Sequence, residues 1–322
     1  SDKRSSNYIN STYLLGIYHT YLYDYLTAMP LIREASNLAK EIYGEENEFY
    51  INTISNLAYT YEQAGAIFKA KEKYEELFDI YKERYSETDS AYLVFQNSLA
   101  AFYYNNGYFK EAEPFYTRGI EYAEKYYGKN SQTYLTTMNN VGEFYLNAGM
   151  YNKAEQIFRD FSEGCKEFYG KKSADYATSL NNVAVCLEKQ EKYEEAESLY
   201  LKALKIKEEV YKTESDFYAL TLNNLGVLYD LMEQNKESEK YYKQAIDIYA
   251  KIGEKSLANY ANALAGLASL YTKTAEYDKA EELFAQSLKM QKEVYGEKYR
   301  GYILTITNYS NFLTEKGDYK KA

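Results

Sequence analysis

The chain has 322 residues, of which 46% are hydrophobic and 27% charged, so it carries enough apolar side chains to build a folded core. Its 38 Lys and Arg against 48 Asp and Glu give a net charge of −10 without a conspicuous basic cluster, which argues against direct binding to nucleic acid or to an anionic membrane. Two prolines and an abundance of helix-forming residues favour an all-α fold.

No membrane-spanning or secretory segment is predicted. No apolar run approaches the ~20 residues that a helix needs to cross a bilayer, and the start, SDKRSSNYIN, lacks the apolar stretch of a signal peptide. A cytoplasmic protein is therefore expected. Cys165 and Cys186 fall on different predicted helices, and we expect free buried thiols because disulfides are rare in reducing compartments.

A repeat of 42 residues runs through the chain. Tyr134 recurs at this interval, without insertion or deletion, as Tyr8, Tyr50, Tyr92, Tyr176, Tyr218, Tyr260 and Tyr302. A fixed period of this size is typical of a solenoid of stacked helical or mixed units. We therefore predict a single solenoid over residues 1–322, with approximate units 6–47, 48–89, 90–131, 132–173, 174–215, 216–257, 258–299 and a truncated 300–322.

Each unit predicts two amphipathic helices. In the fourth unit the first helix is expected over Gln132–Asn147, and Gly149 then interrupts the apolar pattern. The second helix is expected over about Asn152–Phe168. Gly170 follows it and can adopt the left-handed conformation that ends many helices.

The units differ in detail along the chain. The first has His19 where other units have Tyr or Leu, and it has Pro30 in its second helix. The sixth is the most divergent, with Ser238 in an alanine position. The eighth stops inside its second helix, at GDYKKA, and we expect the chain to be a fragment of a longer protein.

Two columns of small residues alternate with bulky ones. The first-helix column is Gly16, Ala58, Ala100, Gly142, Ala184, Gly226, Ala268 and Ser310, and the second-helix column is Ala28, Ala70, Ala112, Ala154, Ala196, Ser238, Ala280 and Ala322. Small residues at facing positions let two antiparallel helices approach closely. The recurring tyrosine is expected to pack against the preceding unit with its hydroxyl at the wet edge.

This order of small and aromatic residues resembles the tetratricopeptide repeat over nearly the whole chain. The 42-residue period and the first-helix motif NNLG.LY are similar to the repeats of kinesin light chains and to the bacterial arrays that precede caspase-like CHAT domains. The resemblance implies an all-α, right-handed α-solenoid, or superhelix, of antiparallel helix pairs. It also implies that the first helices line a concave surface.

Asparagines recur in one register of the first helices. They form the pairs Asn139-Asn140, Asn181-Asn182 and Asn223-Asn224, with Asn56 and Asn308 in the second column and Asn97 in the first. Because asparagine is unfavourable inside a helix, its repeated use needs a reason. On a concave face an amide can donate to and accept from the backbone of a bound peptide. The alternative is that the amides bond the next unit and order the stack, and the two roles can coexist.

Glu143 lies three residues after Asn140 on the same helical face, Asn147 lies four residues after Glu143, and Lys189 holds the position of Asn147 in the fifth unit; these three complete the candidate partner-binding set. Chaperone-binding relatives grip a C-terminal carboxylate with Lys and Arg on this face. Here the face offers mostly Asn, Thr, aliphatic and aromatic groups. A carboxylate clamp and a preference for acidic cargo are therefore not expected.

No catalytic site is predicted. His19 is the only histidine and falls in a packing column, and the two cysteines lie far from it in the sequence. Neither zinc-ligand spacing nor a nucleophile–base pair results, and no known glycine-rich phosphate loop occurs. We expect no enzyme activity, no cofactor and no metal.

The function that the sequence favours is a non-catalytic scaffold that binds a peptide or a partner protein on its concave face. One alternative is the sensor or regulatory region of a larger effector enzyme, such as a CHAT-type protease. Another is self-assembly, in which the incomplete C-terminal repeat docks onto a second copy.

Overall fold

A computed structural model describes residues 3–86, 89–211, 213–297 and 299–318. Within these ranges the chain forms fifteen α-helices and one short 3₁₀ helix, Gly253–Ser256, and contains no β-strand. The α-helices are α1 (Ser6–Tyr21), α2 (Tyr25–Tyr43), α3 (Glu48–Gln63), α4 (Ile67–Arg84), α5 (Ser90–Asn105), α6 (Phe109–Tyr127), α7 (Gln132–Asn147), α8 (Tyr151–Phe168), α9 (Ala174–Lys189), α10 (Tyr193–Tyr211), α11 (Asp216–Leu231), α12 (Asn235–Ile252), α13 (Leu257–Lys273), α14 (Tyr277–Tyr295) and α15 (Arg300–Lys316).

The predicted all-α fold is confirmed. Odd-numbered helices are the first helices of the repeats and even-numbered helices are the second. The helix predicted over Gln132–Asn147 is α7 with the same bounds, and the one predicted over Asn152–Phe168 is α8, which begins one residue earlier. Among the described helices, none combines the length and the apolar character that crossing a bilayer requires.

The chain divides into two compact units, Ser1–Arg118 and Gly119–Ala322. The N-terminal unit contains α1 to α5 and the start of α6, and the C-terminal unit contains the rest of α6 and α7 to α15. In the C-terminal unit each helix from α7 to α15 packs against the next helix in the chain. The repeat boundaries derived from the 42-residue period remain a prediction.

The small columns make room for large side chains on the partner helix. A Cβ atom added at Gly142 would lie 2.4 Å from Cε1 of Phe158, and one at Gly226 would lie 2.9 Å from Cδ1 of Tyr242. Ser238, which replaces alanine in the second-helix column, is buried and donates to the carbonyl oxygen of Gly226 at 2.8 Å. The predicted close approach of the two helices is therefore present, and Ala322 lies outside the described residues.

Within the N-terminal unit the tyrosine column contacts the preceding repeat, as predicted. The ring of Tyr92 stacks on Phe78 of the preceding second helix, with centroids 6.3 Å apart. The hydroxyls, however, reach the second helix of their own repeat. Tyr50 donates to Glu76 at 2.5 Å, and Lys202 donates to the hydroxyl of Tyr176 at 2.9 Å. The column thus ties three helices together.

Each first helix is followed by a turn in which one described residue has a positive φ. These residues are Tyr23, Gly65, Gly107, Gly149, Glu191, Glu233, Ala275 and Gly317, each 42 residues from the next, with φ between 59° and 85°. Four of them are not glycine, so a Cβ atom sits in a conformation that costs roughly 1–2 kcal/mol.

His19 and the two cysteines have packing roles, as the sequence predicted. His19 is half-buried, and its Nδ1 lies 3.0 Å from Asp24 Oδ2 in the turn between α1 and α2. Cys165 and Cys186 are free and buried. Burial raises the pKa of each thiol to about 12.

Candidate binding surface on the first helices

Serine caps set the start of three first helices in the C-terminal unit. The hydroxyls of Ser131, Ser173 and Ser215 accept from the backbone N–H three residues ahead, at 3.2, 3.2 and 3.1 Å. Because a cap of this kind fixes the first helical turn, equivalent positions on α7, α9 and α11 point the same way. We call the side of these helices that carries Asn140, Asn182 and Asn224 the ladder face.

Asparagine amides connect neighbouring first helices. Asn182 Nδ2 donates to Asn139 Oδ1 at 2.8 Å, and Asn224 Nδ2 donates to Asn181 Oδ1 at 3.4 Å. In both cases the second asparagine of one pair reaches the first asparagine of the preceding pair. The bonds therefore span 43 residues, one more than the repeat.

The same bridge occurs with other partners elsewhere. In the N-terminal unit Asn56 Nδ2 donates to the hydroxyl of Tyr13 at 2.8 Å, and it also donates to the carbonyl oxygen of Asn52. Further along the chain, Asn259 Nδ2 donates to both carboxylate oxygens of Asp216, at 3.1 and 3.2 Å. Asn56 shares the register of Asn182, whereas Asn259 lies seven residues earlier in its repeat, so polar bonds between repeats recur at more than one position of the first helices.

The predicted site residues separate into three groups by exposure. Asn97, Asn140, Glu143, Asn147, Lys189 and Asn308 are exposed; Asn56, Asn139, Asn182, Asn223 and Asn224 are half-buried; and Asn181 is buried. Asn56 and Asn97 belong to the N-terminal compact unit and the others to the C-terminal one.

Around Asn140 the exposed residues form a local network. Glu143 accepts from Asn139 Nδ2 at 2.8 Å, and Asn147 Nδ2 donates to the carbonyl oxygen of Glu143 at 2.9 Å. Lys189 instead pairs with Glu188 beside it, at 3.0 Å. The side chain of Asn140 is exposed and makes no hydrogen bond to a described residue of the C-terminal unit.

A buried lysine, which the sequence did not predict, lies beneath the ladder face. Lys207 of α10 is 1% exposed, and its Nζ donates to Thr221 Oγ1 of α11 at 2.9 Å. Thr221 in turn lies 3.3 Å from Asn181 Oδ1, the oxygen that also accepts from Asn224. Burial lowers the pKa of Lys207 to about 8, and the nearby charge of Asp216 opposes this change.

The signal for this lysine is present in the repeat register. At 42-residue spacing Lys207 aligns with Cys165, Tyr249 and Gln291, all of them buried. Polar atoms at this level are incompletely paired. Tyr249 Oη, Gln291 Oε1 and Asn223 Oδ1 are buried and make no hydrogen bond to the described residues. Since buried polar groups are usually paired, these unpaired polar atoms below the ladder face are unusual.

These features define a class of protein. It consists of antiparallel helix pairs with hydrogen bonds between neighbouring first helices, and its exposed surface can contact a partner. A sequence model of the tetratricopeptide repeat matches residues 91–167, 134–209, 175–251 and 259–322, which together are more than half of the chain. The chain belongs to the tetratricopeptide repeat family, as the sequence analysis predicted. Arrays of this family generally serve as non-catalytic scaffolds for protein interaction.

One solved structure with a TM-score above 0.5 agrees on the fold, and two others are similar at a lower score. BtubC (BKLC) from P. vanneervenii is 21% identical in sequence, with a TM-score of 0.53, over 73% of this chain and 92% of that chain. RapI in its apo form is 16% identical, with a TM-score of 0.49, over 89% and 98% of the two chains. The quorum sensor NprR from B. thuringiensis is 17% identical, with a TM-score of 0.48, over 88% and 76%. Sequence comparison with curated proteins gives no match.

Proposed function

We propose that the chain is a non-catalytic scaffold that binds an extended peptide, or an extended segment of a partner protein, along the ladder face. The observation that carries the proposal is the amide of Asn140, which is exposed and makes no hydrogen bond to the described residues of the C-terminal unit. In the middle of a helix, where Asn140 lies, an exposed asparagine without a structural partner lowers helix propensity for no gain in stability, whereas the first turn tolerates asparagine. A role in binding supplies the reason.

Asn182 and Asn224 can contribute although each bridges two repeats. Each bridge uses one of the two amide N–H groups and leaves the carbonyl oxygen and the second N–H. Those groups match the free C=O and N–H groups of an extended backbone. Because neighbouring first helices lie about 8–10 Å apart and an extended chain advances about 3.3 Å per residue, one asparagine would meet about every third residue of the ligand.

The experiment compares the proteins captured from a host lysate by the native chain and by variants, with mass spectrometry as the readout. The informative variants are Asn140→Ala and the triple variant Asn140→Ala, Asn182→Ala, Asn224→Ala. Asn152→Ala is the matched control, because Asn152 is also an exposed helical asparagine but lies on the second helix α8. Circular dichroism and melting temperature establish that each variant is folded.

Partners that are lost with Asn140→Ala and retained with Asn152→Ala would support binding on the ladder face. Partners that all variants retain equally would contradict the proposal and leave the asparagines with the stacking role alone. The single variant is the cleaner test, since Asn140 makes no hydrogen bond within the C-terminal unit whose loss could destabilise that unit.

A further inference from the structure

The first helices of the N-terminal compact unit are almost free of charge. α1 and α5 contain no Asp, Glu, Lys or Arg, and α3 contains only Glu48 and Glu62. The second helix α4 alone, IFKAKEKYEELFDIYKER, carries ten such residues. In a chain with 27% charged residues, this separation leaves one side of the unit uncharged and puts the charge on the other.

The two glutamates of α3 do not restore charge to the uncharged side. Glu48 pairs with Arg84 at the end of α4, and Glu62 accepts from the hydroxyl of Tyr74 on α4 at 2.9 Å. Both carboxylates are therefore held against the second helix. His19, the remaining titratable group besides tyrosine on α1, faces Asp24 in the turn.

Large apolar side chains are exposed on the same side. Leu14 of α1 is 55% exposed and Tyr59 of α3 is 49% exposed, and Tyr21 lies two turns beyond Leu14 on α1. The helices are neighbours, since Asn56 of α3 bonds the hydroxyl of Tyr13 on α1. Asn52, one turn before Asn56, is exposed, and its side chain makes no hydrogen bond to the described residues. We call Leu14, Tyr21, Asn52, Asn56 and Tyr59 the apolar–amide face.

A second exposed apolar edge of α1 has a different meaning. Leu15 and Tyr18 align, at 42 residues, with Leu57 and Thr60 of α3. Those residues are buried, and Thr60 Oγ1 bonds Thr20 of α1 at 3.1 Å. This edge is the stacking surface between repeats and is separate from the apolar–amide face.

We propose that the apolar–amide face binds an uncharged, extended polypeptide segment that carries apolar side chains. The inference rests on the proposed function and names the chemistry of the ligand. Leu14, Tyr21 and Tyr59 would take the apolar side chains, and Asn52 would pair with the ligand backbone.

Charge complementarity selects an uncharged segment. A charged side chain placed on this face would lose hydration and find no opposite charge there, which is costly. An uncharged apolar side chain would instead remove the exposed surface of Leu14 and Tyr59 from water, at about 25 cal/mol per Å² of apolar area. The face therefore discriminates against acidic and basic segments alike.

The amides favour an extended segment over a helical one. A helix satisfies its own backbone N–H and C=O groups, so Asn52 would gain nothing from contact with it. An extended backbone leaves these groups free, as in other extended-peptide complexes. Side chains of an extended segment alternate in direction, so every second one can point toward Leu14 or Tyr59.

The test uses the full chain and three libraries of capped nonapeptides with a fluorescent label, read by anisotropy. In the first library Leu, Val or Phe alternates with Thr or Asn. In the second and third the central apolar residue, which points toward the face, is replaced by Glu or by Lys. The variants are Tyr59→Ala and Leu14→Ala. Phe68→Ala is the matched control, because Phe68 is an 84% exposed aromatic residue on α4, a second helix.

The expected result is that uncharged peptides bind the native chain and the control equally and bind Tyr59→Ala or Leu14→Ala about tenfold or more weakly, as for a residue at the centre of an interface. A central Glu or Lys should weaken binding by a similar factor. Equal binding of charged peptides, unchanged binding to both variants, or an uncharged library without a binder would each overturn the inference.

The triple asparagine variant of the ladder face separates this failure from failure of the proposed function. Binding lost with that variant but kept with Tyr59→Ala would overturn the inference and leave the proposed function standing. Binding kept with the triple variant and lost with Tyr59→Ala would uphold the apolar–amide face. It would also move the capture site away from the ladder asparagines.

Discussion

Replacing the buried lysine should stabilise the protein at neutral pH. Burial lowers the pKa of Lys207 from 10.5 to about 8. At 1.36 kcal/mol per pKa unit, holding the charged form in the folded state costs about 3 kcal/mol. Methionine is unbranched and of similar length, so Lys207→Met removes this cost while filling the same space. It also removes the bond to Thr221, worth about 1 kcal/mol, so the expected net gain at pH 7 is about 2 kcal/mol.

The gain should depend on pH with a defined sign. The unfolded chain binds the lysine proton more tightly than the folded chain does, so the free energy of unfolding of the native protein rises between pH 8 and 10.5. Below pH 8 both states are protonated and the whole cost is present. As the pH rises toward 10.5 the cost disappears, because the lysine becomes neutral in both states. The advantage of Lys207→Met should therefore shrink and then become a deficit of about 1 kcal/mol, the lost hydrogen bond.

Urea unfolding followed by circular dichroism, at pH 7 and at pH 9.5, measures the difference between the native chain and the variant. Taking the difference cancels the tyrosines, which titrate in both proteins. Lys205→Met is the control, because Lys205 lies on the same helix but is exposed, and it should change stability by less than about 0.5 kcal/mol. A difference between native chain and Lys207→Met that is the same at both pH values would refute the argument from a buried charge.

Three further predictions follow from the helix contacts, the turns and the cysteines. Gly142→Ala should destabilise by about 1–2 kcal/mol, because the new Cβ lies 2.4 Å from the ring of Phe158 and overpacking outweighs the gain in helix propensity; an unchanged midpoint of urea unfolding would contradict this. Ala275→Gly should raise stability by about 0.5–1 kcal/mol, since φ there is 59° and relieving left-handed strain exceeds the added chain entropy; a lower melting temperature would count against it. Cys165 and Cys186, whose pKa values burial raises to about 12, should resist iodoacetamide at pH 8 in the native protein and react in urea, as followed by mass spectrometry; rapid native labelling would show that they are accessible.

Much of the fold could be predicted because eight units share the same pattern of residues. A single amphipathic pattern leaves helix ends uncertain, whereas the register shared by all units gave Gln132–Asn147 with the bounds that the structure has. The turns were harder. Gly149 can be recognised as a turn residue because glycine interrupts the apolar pattern. Glu191 and Ala275 have the same positive φ, but nothing in the neighbouring sequence indicates it. Only their position in the period marks them, since neither residue favours that conformation.

The sequence could propose asparagines for the candidate site, but it could not predict the hydrogen bonds that they make. The recurring asparagine pairs indicate that polar groups are needed at these positions. The sequence could not show that Asn182 donates a hydrogen bond to Asn139, because that bond depends on how adjacent helices are shifted along their axes. Lys207 was missed for a different reason. Lysine is almost never fully buried, so a lysine in a helical pattern predicts an exposed side chain. Only the contact with Thr221 shows that Lys207 is buried.

Asn140 and Asn182 occupy equivalent positions but differ in their hydrogen bonds, so a comparison of their alanine variants tests what those bonds contribute. Asn182 holds two repeats together through its bond to Asn139, whereas Asn140, one repeat earlier in the same column, makes no hydrogen bond to a described residue of the C-terminal unit. Asn182→Ala should therefore cost about 1 kcal/mol of stability and also weaken partner capture, while Asn140→Ala should weaken capture and leave stability within about 0.5 kcal/mol of the native value. Because the bridge of Asn182 fixes its side chain before any ligand arrives, its contact with a ligand loses less conformational entropy, so its contribution to capture should exceed that of Asn140. Equal effects of the two substitutions on both stability and capture would mean that the bridge does not organise the ladder face for binding.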